Sequence, residues 1–239
     1  MNKYLYISIL ILISDFFYSQ KHFHESKRIN YISIPILNTE QLKPYALQSK
    51  FNFKKIKQLS NLTIKFSCQN HDEPLYLFIY NRKKLVQKIK IIDHSYPMAY
   101  PEKALVADIN NDSLLDIKLV FPNPGCGLAG DLSTKVYLFK IDSISFNKIE
   151  FFDFASEPEY DINGDSIYEI ISCNHIQYNN HSYWVYNSYN YKNEKIINTS
   201  FENNYPLWTR HLNYSINKLA LGIKDTIRRK YAYKYPIYK

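Results

Sequence analysis

Two short segments of the chain carry oxygen-bearing side chains at the same alternating positions. Counting each segment's first aspartate as position 1, positions 1, 3, 5 and 9 are Asp108, Asn110, Asp112 and Asp116, and then Asp161, Asn163, Asp165 and Glu169. Calcium is a hard cation that takes about six to eight oxygen ligands. The carboxylates would neutralise its charge, and the position 7 carbonyl, of Leu114 or Ile167, can add a backbone ligand. The spacing therefore predicts two calcium loops.

The same spacing also suits loops that hold no metal. Asp and Asn side chains readily accept hydrogen bonds from backbone amides nearby in the chain, forming Asx-turns. A helical calcium loop is excluded, because that motif needs a glutamate at position 12. Position 12 is Leu119 in the first segment and Ser172 in the second. Calcium loops and self-satisfied turns remain the two interpretations.

The two acidic segments belong to a longer repeat. They lie 53 residues apart (161 − 108), a period close to the range expected of propeller blades and other stacked units. Each is followed by a strand pattern, a gap and a hairpin rich in aromatic residues. We therefore expect repeat units at about 104–153 and 157–202.

The elements that must position these loops are predicted to be strands. Apolar and aromatic runs alternate with turn signals, and 23 of the 239 residues are tyrosine, which favours strands. We expect a mainly β fold of repeated antiparallel β-units, resembling a partial or small β-propeller, with a β-sandwich as the alternative. Hairpin turns are predicted at 81–83 and 192–194. The predicted strands are 31–36, 61–67, 75–80, 84–91, 104–107, 117–121, 135–141, 145–151, 166–172, 183–191 and 195–199.

One C-terminal helix is predicted at 215–230. Its apolar residues recur at helical spacing, and basic residues at 228–230 suit a helix C-terminus. A basic amphipathic helix lying on a membrane surface is the alternative. The residues at helical spacing are Ile216, Leu219, Ile223 and Ile227.

The N-terminus has the order of a secretory signal peptide. Lys3 precedes an apolar run from Leu5 to Ile13, and Ser19 supplies a small residue at the expected cleavage edge. The run is shorter than the roughly 20 residues of a membrane-spanning helix. We expect a signal peptide at 1–19 and a single β-rich domain at 20–239, although a buried N-terminal strand or helix would also fit. The protein should be exported to the periplasm, cell surface or medium, away from nucleic acid.

Three cysteines remain in the exported chain, an odd number. Cys126 and Cys173 occupy similar places in the two repeats and are the preferred disulfide pair, which leaves Cys68 as a thiol. Three of the five glycines cluster at 125–130 without the Lys-Ser or Lys-Thr of a phosphate-binding loop. This glycine-rich segment is predicted to form part of a binding surface. No catalytic residue is assigned.

From about residue 105 to residue 200, the chain resembles the FG-GAP or VCBS-type repeats of integrin-like β-propellers and exported bacterial proteins. The resemblance implies strand–loop–strand calcium sites with a structural or adhesive role. The chain departs from the family pattern in two ways. Ser113 and Ser166 stand at position 6, where the family usually has glycine, and Glu169 replaces an aspartate at position 9.

The predicted function is that of an exported, non-enzymatic binding protein of adhesion or inhibitor type, with β-repeats stabilised by calcium. Its expected partner is an exported protein or a cell-surface glycan. The alternative is an exported calcium-dependent glycan hydrolase. A third possibility is association with wall polymers or lipid through the basic C-terminal segment, which the net charge of +8 would favour.

Overall fold

The computed structural model describes residues 26–43, 46–68, 74–91, 101–122, 132–154, 158–213 and 216–232. The predicted signal peptide, the glycine-rich cluster at 125–130 and Cys126 lie outside these ranges. Cys173 lies within them as a buried thiol. The pairing of Cys126 with Cys173 stays a prediction.

The described residues are mainly β-structure with one short α-helix, as predicted. A 3-10 turn lies at Lys57–Leu59, and the α-helix α1 at Asp225–Ala232. In chain order the strands are β1 (Lys27–Arg28), β2 (Ile32–Pro35), β3 (Leu37–Lys43), β4 (Ala46–Asn52), β5 (Leu62–Cys68), β6 (Tyr76–Asn81), β7 (Lys84–Lys90), β8 (Lys103–Ala107), β9 (Asp116–Pro122), β10 (Ser133–Lys140), β11 (Phe146–Asp153), β12 (Tyr160–Asp161), β13 (Ile170–Tyr178), β14 (His181–Lys192), β15 (Lys195–Asn198), β16 (Leu207–Asn213) and β17 (Ile216–Leu219).

The chain divides into two compact units. The first, here called the sandwich unit, comprises Asn30–Ala155 and Lys192–Ile196. The second, here called the loop-2 unit, comprises Ser156–Tyr191, Ile197–Tyr235 and the described residues 26–29. The first predicted repeat lies in the sandwich unit, and most of the second lies in the loop-2 unit.

The sandwich unit contains two five-stranded antiparallel sheets. Their strand orders are β3-β4-β5-β6-β7 and β11-β10-β9-β8-β2. Side chains alternate across a strand, so every second residue of β5 and β9 points to one face. Ile64 of the first sheet and Leu119 of the second belong to the same apolar core, and both are fully buried. This two-layer packing is the predicted alternative, a β-sandwich.

The loop-2 unit is built on the antiparallel order β13-β14-β16-β17. The short ladder β1–β12 is separate and pairs Lys27 with Asp161. A small core in this unit contains Ile176, Tyr183, Val185 and Trp208. Ile223, Ile227 and Tyr231 pack against it, so α1 docks through its apolar side.

The predicted helix 215–230 is wrong in its first half. Residues 216–219 form β17, which pairs with β16, and α1 begins only at Asp225. Gly222 separates the two elements with a φ of +87°, a left-handed conformation that an α-helix does not accommodate. Ile216 and Leu219 therefore belong to a strand, although they share helical spacing with Ile223 and Ile227. Within the described residues, no helix is both long enough and apolar enough to cross a membrane.

Candidate metal centre

The two acidic loops occupy equivalent places between antiparallel strands. The first loop joins β8 to β9, and Ala107 pairs with Asp116 at its base. The second joins β12 to β13, and Tyr160 pairs with Glu169 at its base. In each case the residue before position 1 is opposite position 9. The structure therefore brings the predicted residues of each loop together around one tight turn.

The backbone turns at the same two positions in both loops. Position 4 is left-handed in each, with φ of +58° at Asn111 and +79° at Gly164. Position 6 is also left-handed, with φ of +69° at Ser113 and +68° at Ser166. A non-glycine residue in this conformation costs about 1–2 kcal/mol. The serines thus adopt a backbone conformation that glycine accommodates more readily.

In the first loop, all six carboxylate oxygens accept hydrogen bonds. Asp108 accepts from the backbone amides of Asp112 and Ser113, at 3.1 and 2.9 Å. Asp112 accepts from the amide of Leu114 and the side chain of Asn110. The fully buried Asp116 accepts from Ile109 and Lys140, at 3.0 and 2.9 Å. These contacts are those expected of the self-satisfied turn, and the remaining buried oxygen without a partner in this loop is the amide Oδ1 of Asn110.

In the second loop, two carboxylate oxygens lack a hydrogen-bond partner. Asp161 accepts from Ser166 at 3.2 Å through Oδ2, and Glu169 accepts from Ile162 at 2.8 Å through Oε2. Asp161 Oδ1 and Glu169 Oε1 are buried with no hydrogen bond. Asp165 is satisfied by the amide of Ile167 and the side chain of Asn163. Positions 1 and 9 of this loop therefore hold oxygens that could serve a cation.

Burial makes the position 9 carboxylates unfavourable as anions. It raises the pKa of Asp116 to about 7, and the charges of Asp112 and Asp108 raise it further, against the lowering effect of two backbone amides. Burial also raises the pKa of Glu169 to about 7, with a further contribution from Asp165. A nearby positive charge would favour both ionised forms.

The donor set fits calcium in kind. Asp161, Asn163, Asp165, Glu169 and the carbonyl of Ile167 offer only oxygen, which calcium prefers. In the part of the chain that the structure describes, no three Asp, Glu, His or Cys side chains are grouped so that they could hold a metal ion.

No family model, curated protein or solved structure matches this chain. The assignment of the loops therefore depends on their own geometry and on the sequence resemblance.

Sequence analysis missed a pocket beside the second loop. This open pocket, of about 500 Å³, is lined by Ser26, Lys27, Asp161, Ile162, Asn163, Gly164, Asn203, Asn204, Tyr205 and Leu207. The lining residues come from three segments that are far apart in sequence, and no periodic pattern connects these segments. The sequence feature that could have indicated this pocket is the polar pair Asn203-Asn204, which lies immediately before Tyr205-Pro206.

A pH dependence follows from the raised pKa values of Asp116 and Glu169. Their values in the folded protein, about 7, lie above the ordinary values of 3.8 and 4.5. The folded state therefore binds more protons between these limits, and its stability should fall as pH rises from about 4.5 to about 7. In EDTA, the thermal midpoint of the chain from Gln20 should be lower at neutral pH than at mildly acidic pH. The variant Asp116→Asn with Glu169→Gln should flatten this slope, and an unchanged slope would contradict the assignment.

Proposed function

We propose that the protein is an exported, non-enzymatic binding protein of adhesion or inhibitor type whose β-repeats are stabilised by calcium. Export is inferred from residues 1–19. The calcium proposal is carried by the pair of buried carboxylate oxygens without partners, Asp161 Oδ1 and Glu169 Oε1. Leaving such atoms unpaired is costly, especially in charged groups. Bound calcium would neutralise these carboxylates and connect the two ends of the loop.

The second loop is proposed as the stronger of the two sites. In the first loop each carboxylate oxygen already accepts a hydrogen bond, and Asp116 is held by amides from both its own loop and β10. A cation there would compete with contacts that already satisfy the ligands. In the second loop no backbone amide donates to Asp161 Oδ1 or Glu169 Oε1, and the competing contact at Glu169 is the Asn203 side chain.

Calcium should raise the thermal midpoint of the chain from Gln20 relative to EDTA. A ligand that binds only the folded state adds about 2.7 kcal/mol at roughly 100 times its dissociation constant. Each kcal/mol should raise the midpoint by roughly 2–4 °C for a protein of this size. Asp165→Asn should remove most of the shift, because it deletes a carboxylate from the stronger site.

The matched control is Asp112→Asn, the same change at position 5 of the first loop. Asp112 and Asp165 are both exposed, and each accepts from the position 7 amide and the position 3 side chain. Local turn effects should therefore be alike, while the calcium shift should survive only in Asp112→Asn. The absence of a shift in the parent chain would refute the calcium proposal. Equal loss in both variants would refute the ranking of the loops.

The pocket supports binding over glycan hydrolysis. Glycoside hydrolysis ordinarily needs a pair of carboxyl groups across the scissile bond. Asp161 is the one acidic residue in the lining of the pocket, and it is also the position 1 residue of the proposed calcium loop. The lining of this one pocket thus offers a ligand site without the second carboxyl group that hydrolysis there would need.

A further inference from the structure

The pocket of the loop-2 unit has the size of a small-molecule site. Its volume of about 500 Å³ falls within the roughly 300–1,000 Å³ of typical ligand pockets. One wall is the second acidic loop, from Asp161 to Gly164. The other walls are the start of β1 and the turn that precedes β16. The pocket is thus formed by residues of one compact unit.

The chemistry of the lining favours a neutral ligand rich in hydroxyl groups. Asn163, Asn203 and Asn204 supply amides, which both donate and accept. Asn163 already donates to Asp165 and Asn203 to Ser188, so each keeps at most one further N–H donor. Lys27 is the single basic residue of the lining, too little to neutralise a phosphate or sulfate group. A hydroxyl group both donates and accepts, so it can match the N–H and the oxygen of an amide.

Asp161 connects this wall to the proposed calcium site. It lines the pocket and is 8% exposed, and its buried Oδ1, which has no hydrogen bond, is the oxygen assigned to the ion. Asn203 lines the same pocket and lowers the pKa of Glu169 through its side chain. Asn203 also donates to Ser188 at 3.4 Å, so a contact with a residue outside the pocket lining orients its amide. The pocket and the second loop therefore share a wall formed by positions 1 to 4 of the loop, and Asn203 connects the pocket to position 9.

We propose that this pocket binds a cell-surface glycan through the hydroxyl groups of one sugar residue. The proposal rests on the calcium site inferred for the second loop, because an ion held there would lie at the pocket wall. Sugar hydroxyl groups would hydrogen-bond to the asparagine amides, while Asp161 Oδ1 would be held by the ion behind the pocket wall. The ligand class inferred for the proposed binding function is therefore a neutral cell-surface glycan.

The test is a glycan array of immobilised neutral oligosaccharides, probed with the fluorescently labelled chain from Gln20 in calcium and in EDTA. Retention in calcium is expected. Asn204→Gly should weaken it by roughly three- to tenfold, the contribution of about one hydrogen bond. Glycine keeps the φ of +60° at this position, so the turn itself is preserved. Leu207→Trp should abolish retention by filling the pocket.

The matched control is Asn193→Gly, at an exposed hairpin residue with φ of +52° outside the lining of the pocket. It should bind as the parent does. No retention by any oligosaccharide, together with a calcium-dependent rise in thermal midpoint, would overturn the glycan inference and leave the calcium proposal standing. Equal retention in calcium and EDTA would support the pocket and contradict its dependence on calcium. Parent-like binding by Asn204→Gly and Leu207→Trp would place the glycan elsewhere and overturn the inference.

Discussion

Asp153→Ala should lower the free energy of unfolding by about 3–5 kcal/mol, the cost typical of breaking a buried ion pair by removing one partner. Lys135 Nζ lies 3.0 Å from Asp153 Oδ1, and the two side chains are 2% and 1% exposed. The alanine would leave the ammonium group of Lys135 buried without its carboxylate. Urea denaturation of the chain from Gln20, performed in EDTA, measures the change.

The control for this prediction is the same substitution in an exposed ion pair. Asp225 lies 3.6 Å from Arg228 and is 77% exposed, so Asp225→Ala should cost less than about 1 kcal/mol. The double variant Lys135→Met with Asp153→Leu should recover most of the lost stability, because it removes both charges and keeps the side-chain volume. If Asp153→Ala unfolds at the same urea concentration as the parent, the buried pair contributes nothing.

The burial of Lys135 is a feature that the sequence alone does not predict. Lysine within a strand pattern is ordinarily interpreted as solvent-facing. Here Lys135 lies on β10, contacts Asp153 on β11 and has its ammonium 5.7 Å from the centre of the Phe151 ring. Only the pairing of the two strands brings these residues together. No local pattern predicts that the charge is buried.

Strands with a clear alternating pattern were predictable, and polar strands were not. The expected strand 61–67 is β5, and its alternate residues Leu62, Ile64 and Phe66 are buried. β3, whose sequence is Leu-Asn-Thr-Glu-Gln-Leu-Lys, has no apolar alternation and was not predicted. It forms because β4 offers a hydrogen-bonding edge. The formation of β3 therefore depends on its pairing with β4 and not on its own sequence pattern.

The acidic loops show the same limit at the level of single atoms. The sequence identified both loops, and their shared left-handed backbone at positions 4 and 6 agrees with one repeated turn. The sequence also left open whether the two loops need a bound metal ion. The difference between the two loops depends on neighbours, since the backbone amide of Lys140 in β10 donates to Asp116, while no backbone amide donates to Glu169 Oε1. The sequence therefore shows which residues could bind calcium, whereas the packing around them determines which of their oxygens lack other partners.

Trp208→Ala should destabilise the loop-2 unit by about 3–5 kcal/mol, the usual cost of deleting a large aromatic side chain from a core. Trp208 is 2% exposed, and its ring lies 5.4 Å from Tyr183 and 5.4 Å from Tyr231 of α1. α1 is eight residues long, too short to be stable in water without tertiary packing. Its attachment to the sheet therefore depends on this aromatic contact. Hydrogen exchange of the backbone amides of α1 should lose its protection in the variant.

Trp208→Phe separates the effect of the cavity from that of the indole N–H. Trp208 Nε1 is buried without a hydrogen-bond partner, so its removal loses no hydrogen bond and leaves most of the ring contact with Tyr183 and Tyr231. This variant should cost clearly less than alanine and keep the amides of α1 protected. Arg228 also donates to the carbonyl of Pro206 at 2.7 Å, which gives the helix a second connection to the sheet. If α1 stays protected in Trp208→Ala, that polar contact, rather than the aromatic core, holds the helix in place.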